Sequence, residues 1–203
     1  MKKLQIFDFD ETLFRVPGFA SIAFAEFQYN TGKRFLQKPA LPKKKFNTPY
    51  EFFDDPISLD TTIYKIQLIK PVYDAWKKGN DDPNCYQVLI THRSRNTREA
   101  VEKILDLNNI SFDNMFFLGR TKNKAEVVNR LFNIGYLKNE KLYDVEIYED
   151  SIYQIQSYQA NLNCCNPTFY NEKARTSFFI VDKSKMFRIY KVNISDQKRI
   201  ELI

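Results

Sequence analysis

Apolar and polar positions along the chain fall into short hydrophobic runs separated by stretches of helical spacing. The first run, "LQIF", is bounded by polar residues and predicts a strand buried in a parallel sheet. "PGFASIAFAEFQYNTG" then sets Phe19, Ile22, Ala23 and Phe27 at helical intervals that Gly32 closes. Between Lys33 and Asp60 the periodicity fails; four prolines, a basic cluster and several aromatics predict an irregular insertion. "TTIYKIQLIKPVYDAWKKGN" returns to helical spacing, with a break at Pro71 and an end at Gly79, and places Trp76 in the core. From there the pattern alternates. "YQVLIT", "MFFLG" and "DVEIYED" are strands; "RSRNTREAVEKILDLNN", with Asn96 and Glu99 at capping-box spacing, "KAEVVNRLFNIGYL" and "SIYQIQSYQ" are helices. Such alternation implies a parallel sheet covered on both faces, with ligands bound outside the carboxyl ends of the strands. Beyond Asn166, "TSFFIV", "DKSK" and "MFRIYKV" predict a β-hairpin appendage. The expected architecture is a Rossmann-like α/β core (1–14 and 81–165), an insertion (15–80) and a C-terminal β appendage (166–203).

Composition narrows this picture modestly. With 203 residues and 43% hydrophobic content the chain can build a proper core. No run approaches the roughly 18 apolar residues a membrane span needs, and the amino terminus lacks the order of regions that marks a secretory signal, so the expected location is the cytoplasm. Cys85, Cys164 and Cys165 are an odd set with two adjacent members, which predicts reduced thiols. A single histidine, His92, rules out a zinc-type cluster. A net charge of +6 and a pI near 9.1 favour polyanionic partners mildly.

The chemistry lies at the predicted strand ends. Asp8 and Asp10 follow the first strand, Thr91, His92 and Arg93 the second, Gly119 to Lys124 the third, and Glu149 and Asp150 the fourth. Carboxylates gathered at a buried strand end repel one another and lose hydration, so they call for a cation. Two acidic pairs, a hydroxyl and a lysine opening a helix are the parts of magnesium-assisted phosphoryl transfer.

In that order "DFDETLF", the Thr91 of "LITHR", a lysine near position 124 and "IYEDS" resemble the four motifs of the haloacid dehalogenase superfamily, over roughly residues 4–160. "FFDDPISL", "LITHR" and "IYED" are more specifically similar to the haloacid-dehalogenase-type domain associated with Swiss Army knife RNA repair proteins. Two positions depart from that pattern: His92 replaces a glycine, and no histidine follows "IYED".

The resemblance implies a Mg2+-dependent phosphomonoester hydrolase with Asp8 as nucleophile and Asp10 as acid and base. Magnesium would be held by the Asp8 side chain, the Asp10 carbonyl and Asp150, with Glu149 as a further ligand. Thr91 would bond a phosphoryl oxygen and Lys124 would neutralise charge, with Lys122 as the other candidate lysine. The insertion would act as a cap. Arg93 is a candidate for substrate contact or loop anchoring, and Lys43, Lys44 and Lys45, interleaved with aromatics, for a nucleic-acid backbone. Glu11 reads as a solvent-facing turn residue, Thr12 as a turn cap or substrate contact, and His92 as packing against its loop. The expected substrate is a nucleic-acid end or nucleotide; the rivals are a phosphatase of small metabolites or phosphoproteins, and a noncatalytic module that binds phosphorylated partners.

Overall fold

The computed structural model describes residues 2–16, 51, 53–62, 65–120, 122–133, 143–162, 179–181, 185–192 and 200–202. Its elements begin with β1 (Lys2–Phe7), β2 (Phe14–Arg15), β3 (Gln67–Leu68), α1 (Lys70–Asn80), β4 (Cys85–Thr91) and α2 (Arg98–Leu107). They continue with β5 (Asn114–Phe117), α3 (Lys124–Asn133), β6 (Tyr143–Glu149), α4 (Ile152–Asn161), β7 (Phe179–Val181), β8 (Lys185–Val192) and β9 (Ile200–Leu202). The four strands predicted from apolar runs pair in parallel, in the order β5-β4-β1-β6, and make a Rossmann-like α/β sheet. Phe7 stands opposite Leu89 on one side and Tyr148 on the other.

Alternation along the strands divides the core. Leu4, Ile6, Val88, Ile90, Val145 and Ile147 face α3 and α4, where they meet Val128, Ile155 and Tyr158. Phe7, Leu89 and Tyr148 face α1 and α2, under Val72, Trp76, Val101 and Ile104. Trp76 is buried as expected and donates its ring N–H to the Ser111 carbonyl at 3.0 Å. Burying each such side chain contributes about 1.5–3 kcal/mol, which is why both faces must be covered.

The predicted hairpin forms from β7 and β8, but β8 also runs parallel to β6 and so continues the core sheet. β9 pairs with the far end of β8. Rings of Phe7, Tyr148 and Tyr190 stack across β1, β6 and β8, with centroids 4.7 and 4.8 Å apart.

Three local expectations are corrected. The helix that contains Pro71 begins only at Lys70: β3 pairs antiparallel with β2, Ile69 is extended, and Pro71 sits in the first turn of α1, where its missing N–H costs nothing. α1 then packs on the core through Val72 and Trp76, although the sequence places it within the insertion. Gly79 does not end this helix, which runs to Asn80; it is buried where a Cβ would collide with the Gln5 carboxamide. The capping box at Asn96 is not formed, because a 3-10 turn at Arg95–Thr97 intervenes and α2 starts at Arg98.

The paired β2 and β3 form a neck. Phe14 faces Leu68, and the Ile69 N–H donates to the Leu13 carbonyl at 2.9 Å, so the chain leaves for the insertion and returns at one place. Among the described residues no helix is long and apolar enough to cross a membrane.

Candidate functional site

Because the four strands are parallel, Asp8, Thr91, Leu118 and Glu149 all emerge at one edge of the sheet. The chain steps outward from β1 to β4 and β5, then returns to the other side of β1 as β6. The junction of β1 and β6 is therefore the switch point where α/β sheets bind ligands. Asp8 leaves β1 there, its N–H bonded to the Tyr148 carbonyl at 3.1 Å, and Glu149 and Asp150 leave β6 beside it. Carboxylate oxygens of Asp8, Glu149 and Asp150 lie within 4.8 Å of one another, and the three could hold a metal ion.

Lys124 reaches this cluster from the first residue of α3. Its position is set by Asn123, whose side-chain oxygen accepts from the Ala125 N–H at 2.8 Å and from the Ser157 hydroxyl at 3.0 Å, fastening α3 to α4. The Lys124 ammonium lies 2.7 Å from Asp8 Oδ1 and 2.7 Å from Glu149 Oε2, fully enclosed. Burial opposes that charge, but Asp8 and Glu149 outweigh burial and hold its pKa above the ordinary lysine value. Lys122, by contrast, is exposed, and its carbonyl meets His92 Nε2 at 3.1 Å. The two candidate lysines thus separate clearly.

One ammonium does not balance three carboxylates. Burial raises the pKa of Glu149, with Lys124 opposing and Asp8 adding to the rise. Asp150 is raised by burial and then by Asp8 and Glu149; Thr12 donates to its Oδ1 at 3.0 Å. A buried, all-oxygen donor set with excess negative charge suits a hard divalent cation, so the residues fit a metal of that class.

Asp10 is engaged differently. Arg93, only 1% exposed, donates from Nε to both Asp10 oxygens (3.1 and 2.9 Å) and from Nη2 to Oδ1 (2.7 Å). Its Nη1 reaches the Phe53 carbonyl at 2.9 Å and the Ser58 hydroxyl at 2.8 Å, and its guanidinium lies 4.3 Å from the centroid of the Phe53 ring. Arg93 thus ties Asp10 to the insertion. Burial still raises the Asp10 pKa, against the pull of Arg93. Thr91 is buried behind this pair, its hydroxyl accepting from the Arg93 N–H at 3.1 Å.

Glu11 is not solvent-facing. It is buried with φ 53°, accepts from the Val16 N–H at 3.2 Å and lies 3.5 Å from Arg15, so it braces the turn between β1 and the neck. His92 is half-buried; burial and then Lys124 lower its pKa, which keeps the ring neutral near pH 7. Lys43, Lys44 and Lys45 lie outside the described residues. Sequence reasoning covered Asn123 and Ser58 within the stretches it singled out but gave neither a role. Only Asn123 carried a signal, an Asn directly before a helical pattern.

Replacing Arg93 with Lys keeps the charge but loses the fork. We expect a stability loss of about 2 kcal/mol, from several buried hydrogen bonds left unmade, together with faster proteolysis within residues 53–60. Urea denaturation and limited digestion check this; unchanged digestion would show that Arg93 does not restrain that segment.

No family model matches the chain, and no curated protein matches it. Among solved structures it is similar to a chain of the Pnkp1/Rnl/Hen1 complex, with 16% identity and a TM-score of 0.46, covering 80% of this chain and 44% of that one. A second likeness, to a chain of the Pnkp1/Rnl/Hen1 RNA repair complex, has 16% identity and a TM-score of 0.47, covering 80% and 40%. The chain spans less than half the length of either.

Proposed function

We propose that this chain is a magnesium-dependent phosphomonoester hydrolase of haloacid dehalogenase type that works through an aspartyl phosphate. The observation that carries the reading is the cluster of Asp8, Glu149 and Asp150 at the sheet's switch point, with Lys124 bridging Asp8 and Glu149. In the first step an Asp8 oxygen attacks phosphorus while the bond to the leaving oxygen breaks, and Asp10 gives that oxygen a proton. In the second, Asp10 takes a proton from water as the water oxygen attacks phosphorus; the Asp8–phosphorus bond breaks and inorganic phosphate leaves. Mg2+, held by Asp8, Asp150, the Asp10 carbonyl and Glu149, would supply charge neutralisation for an anionic substrate. Lys124 stabilises the nucleophile and the transferred group, Thr91 bonds a phosphoryl oxygen, and Arg93 positions Asp10. The residues beyond the neck, between β2 and β3, serve as the cap, and the substrate is a nucleic-acid end or nucleotide, as the sequence resemblance implies.

Activity with p-nitrophenyl phosphate should require magnesium and vanish with a chelator. Asp150→Ala should weaken magnesium binding more than Glu149→Ala, because Glu149 already bonds Lys124 while Asp150 is met by a hydroxyl. Isothermal calorimetry decides this: equal losses, or no magnesium binding, would overturn the ligand assignment.

A further inference from the structure

Away from the carboxylates, the outer edge of β5 carries a cavity of about 660 Å3. Its apolar lining comes from both faces of the sheet edge: half-buried Met115 on the α2 side, and half-buried Phe116, Leu118 and Val127 on the α3 side. Its rim is cationic. Arg95 and Arg98 stand on the α2 side, and Lys122 and Arg130 on the α3 side. Among the described residues lining it, none is acidic. Arg98 pairs with Glu102 at 2.8 Å and lies 5.7 Å from the Phe117 ring centroid. β5 has no strand on its outer side among the described residues, so backbone groups along that edge lack a ladder.

Two residues of its rim lie close in sequence to the candidate site. Lys122 precedes Lys124 by two residues and its carbonyl is bonded to His92, while Arg95 follows Arg93 by two. Building on the phosphatase reading, we propose that this groove binds the nucleotides next to the reacting end of a single-stranded nucleic acid, with phosphates on the four cations and a base against Phe116. Charge complementarity selects a polyanion, and the apolar lining selects one with flat apolar faces. An acidic peptide offers only the first, and a duplex keeps its bases stacked inside. The volume falls within the range of small-ligand sites, enough for a nucleotide unit.

The test uses full-length protein carrying Asp8→Asn, which prevents turnover, and a short fluorescein-labelled single-stranded RNA read by anisotropy over a salt series. Arg95 and Arg130 are exposed, so Arg95→Ala/Arg130→Ala should fold normally. Each phosphate contact on a single strand contributes about 0.7 to the slope of log affinity against log salt, so the double variant should flatten that slope by up to about 1.4. Affinity at low salt should fall about tenfold, and Arg130→Glu should lower it further. With Asp8 intact, hydrolysis of p-nitrophenyl phosphate by the double variant should be unchanged. Unaltered affinity and slope would overturn the proposal, as would competition by polyglutamate or free AMP as strong as that by unlabelled RNA. Loss of RNA binding in the variant of a protein that never hydrolyses p-nitrophenyl phosphate would sustain the groove and remove the phosphatase reading.

Discussion

Asp8→Asn should reduce p-nitrophenyl phosphate hydrolysis by roughly three orders of magnitude or more while leaving the protein folded. The amide keeps the volume of the carboxylate but cannot form an acyl phosphate by the same route. The structure adds a second expectation, on stability. Asp8 raises the pKa of both Glu149 and Asp150, which means that its charge works against theirs in an enclosed space. Removing that charge leaves Lys124 still bonded to Glu149 and lessens the repulsion. The melting temperature in chelator should therefore hold or rise, the usual relation between a reactive site and the stability it sacrifices. Substantial residual hydrolysis would remove Asp8 from the nucleophile's role. A steep fall in melting temperature would show that Asp8 serves the fold.

Lys124→Met should have the opposite signature. The side chain is fully enclosed and is the cation in contact with two buried carboxylates, so its removal leaves their charge uncompensated. Breaking a buried pair in this way costs about 3–5 kcal/mol, or roughly 10 °C of melting temperature for a chain of this size. Magnesium should recover much of that loss, because a divalent ion among Asp8, Glu149 and Asp150 takes over part of the neutralisation. Hydrolysis should stay low even at saturating magnesium, since the ammonium beside the nucleophile is gone. Differential scanning calorimetry with and without magnesium tests the account; an identical loss in both would mean that Lys124 matters through packing alone.

The strands were legible because each buried strand of a parallel sheet is a short apolar run, and its end is marked by the first polar residue. That rule placed Asp8, Thr91, Glu149 and Asp150 at strand ends, and the start of a helical pattern placed Lys124 at a helix start, where the structure has them. What escaped was the work of residues that act on one another across the chain. Arg93 and Asp10 are 83 residues apart in sequence, and nothing local shows that a guanidinium will take both oxygens of that carboxylate. Glu11 looked exposed because short acidic turns usually are, yet the neck folds over it. Helical spacing on both flanks of Pro71 predicts a helix broken there; the pairing of β3 with β2, a long-range contact, makes its amino-terminal flank extended. The same holds for Gly79, whose reason lies in Gln5 on another element.

The neck has a consequence for how such a chain can change over time. With Phe14 and Leu68 side by side, the two points where the insertion joins the core are already closed on each other before the intervening chain is considered. Loop-closure entropy grows only with the logarithm of length, about 0.6 kcal/mol for each doubling, so this segment can be lengthened, shortened or exchanged at little cost to the sheet. Among the described residues, its attachments to the core beyond the neck include the Phe53 carbonyl and Ser58 hydroxyl, bonded to the Arg93 that holds Asp10, and the buried Leu59 side chain. The segment can thus be exchanged as a unit, provided its replacement still meets the Arg93 guanidinium and the apolar site of Leu59, while the carboxylates at the strand ends stay where they are.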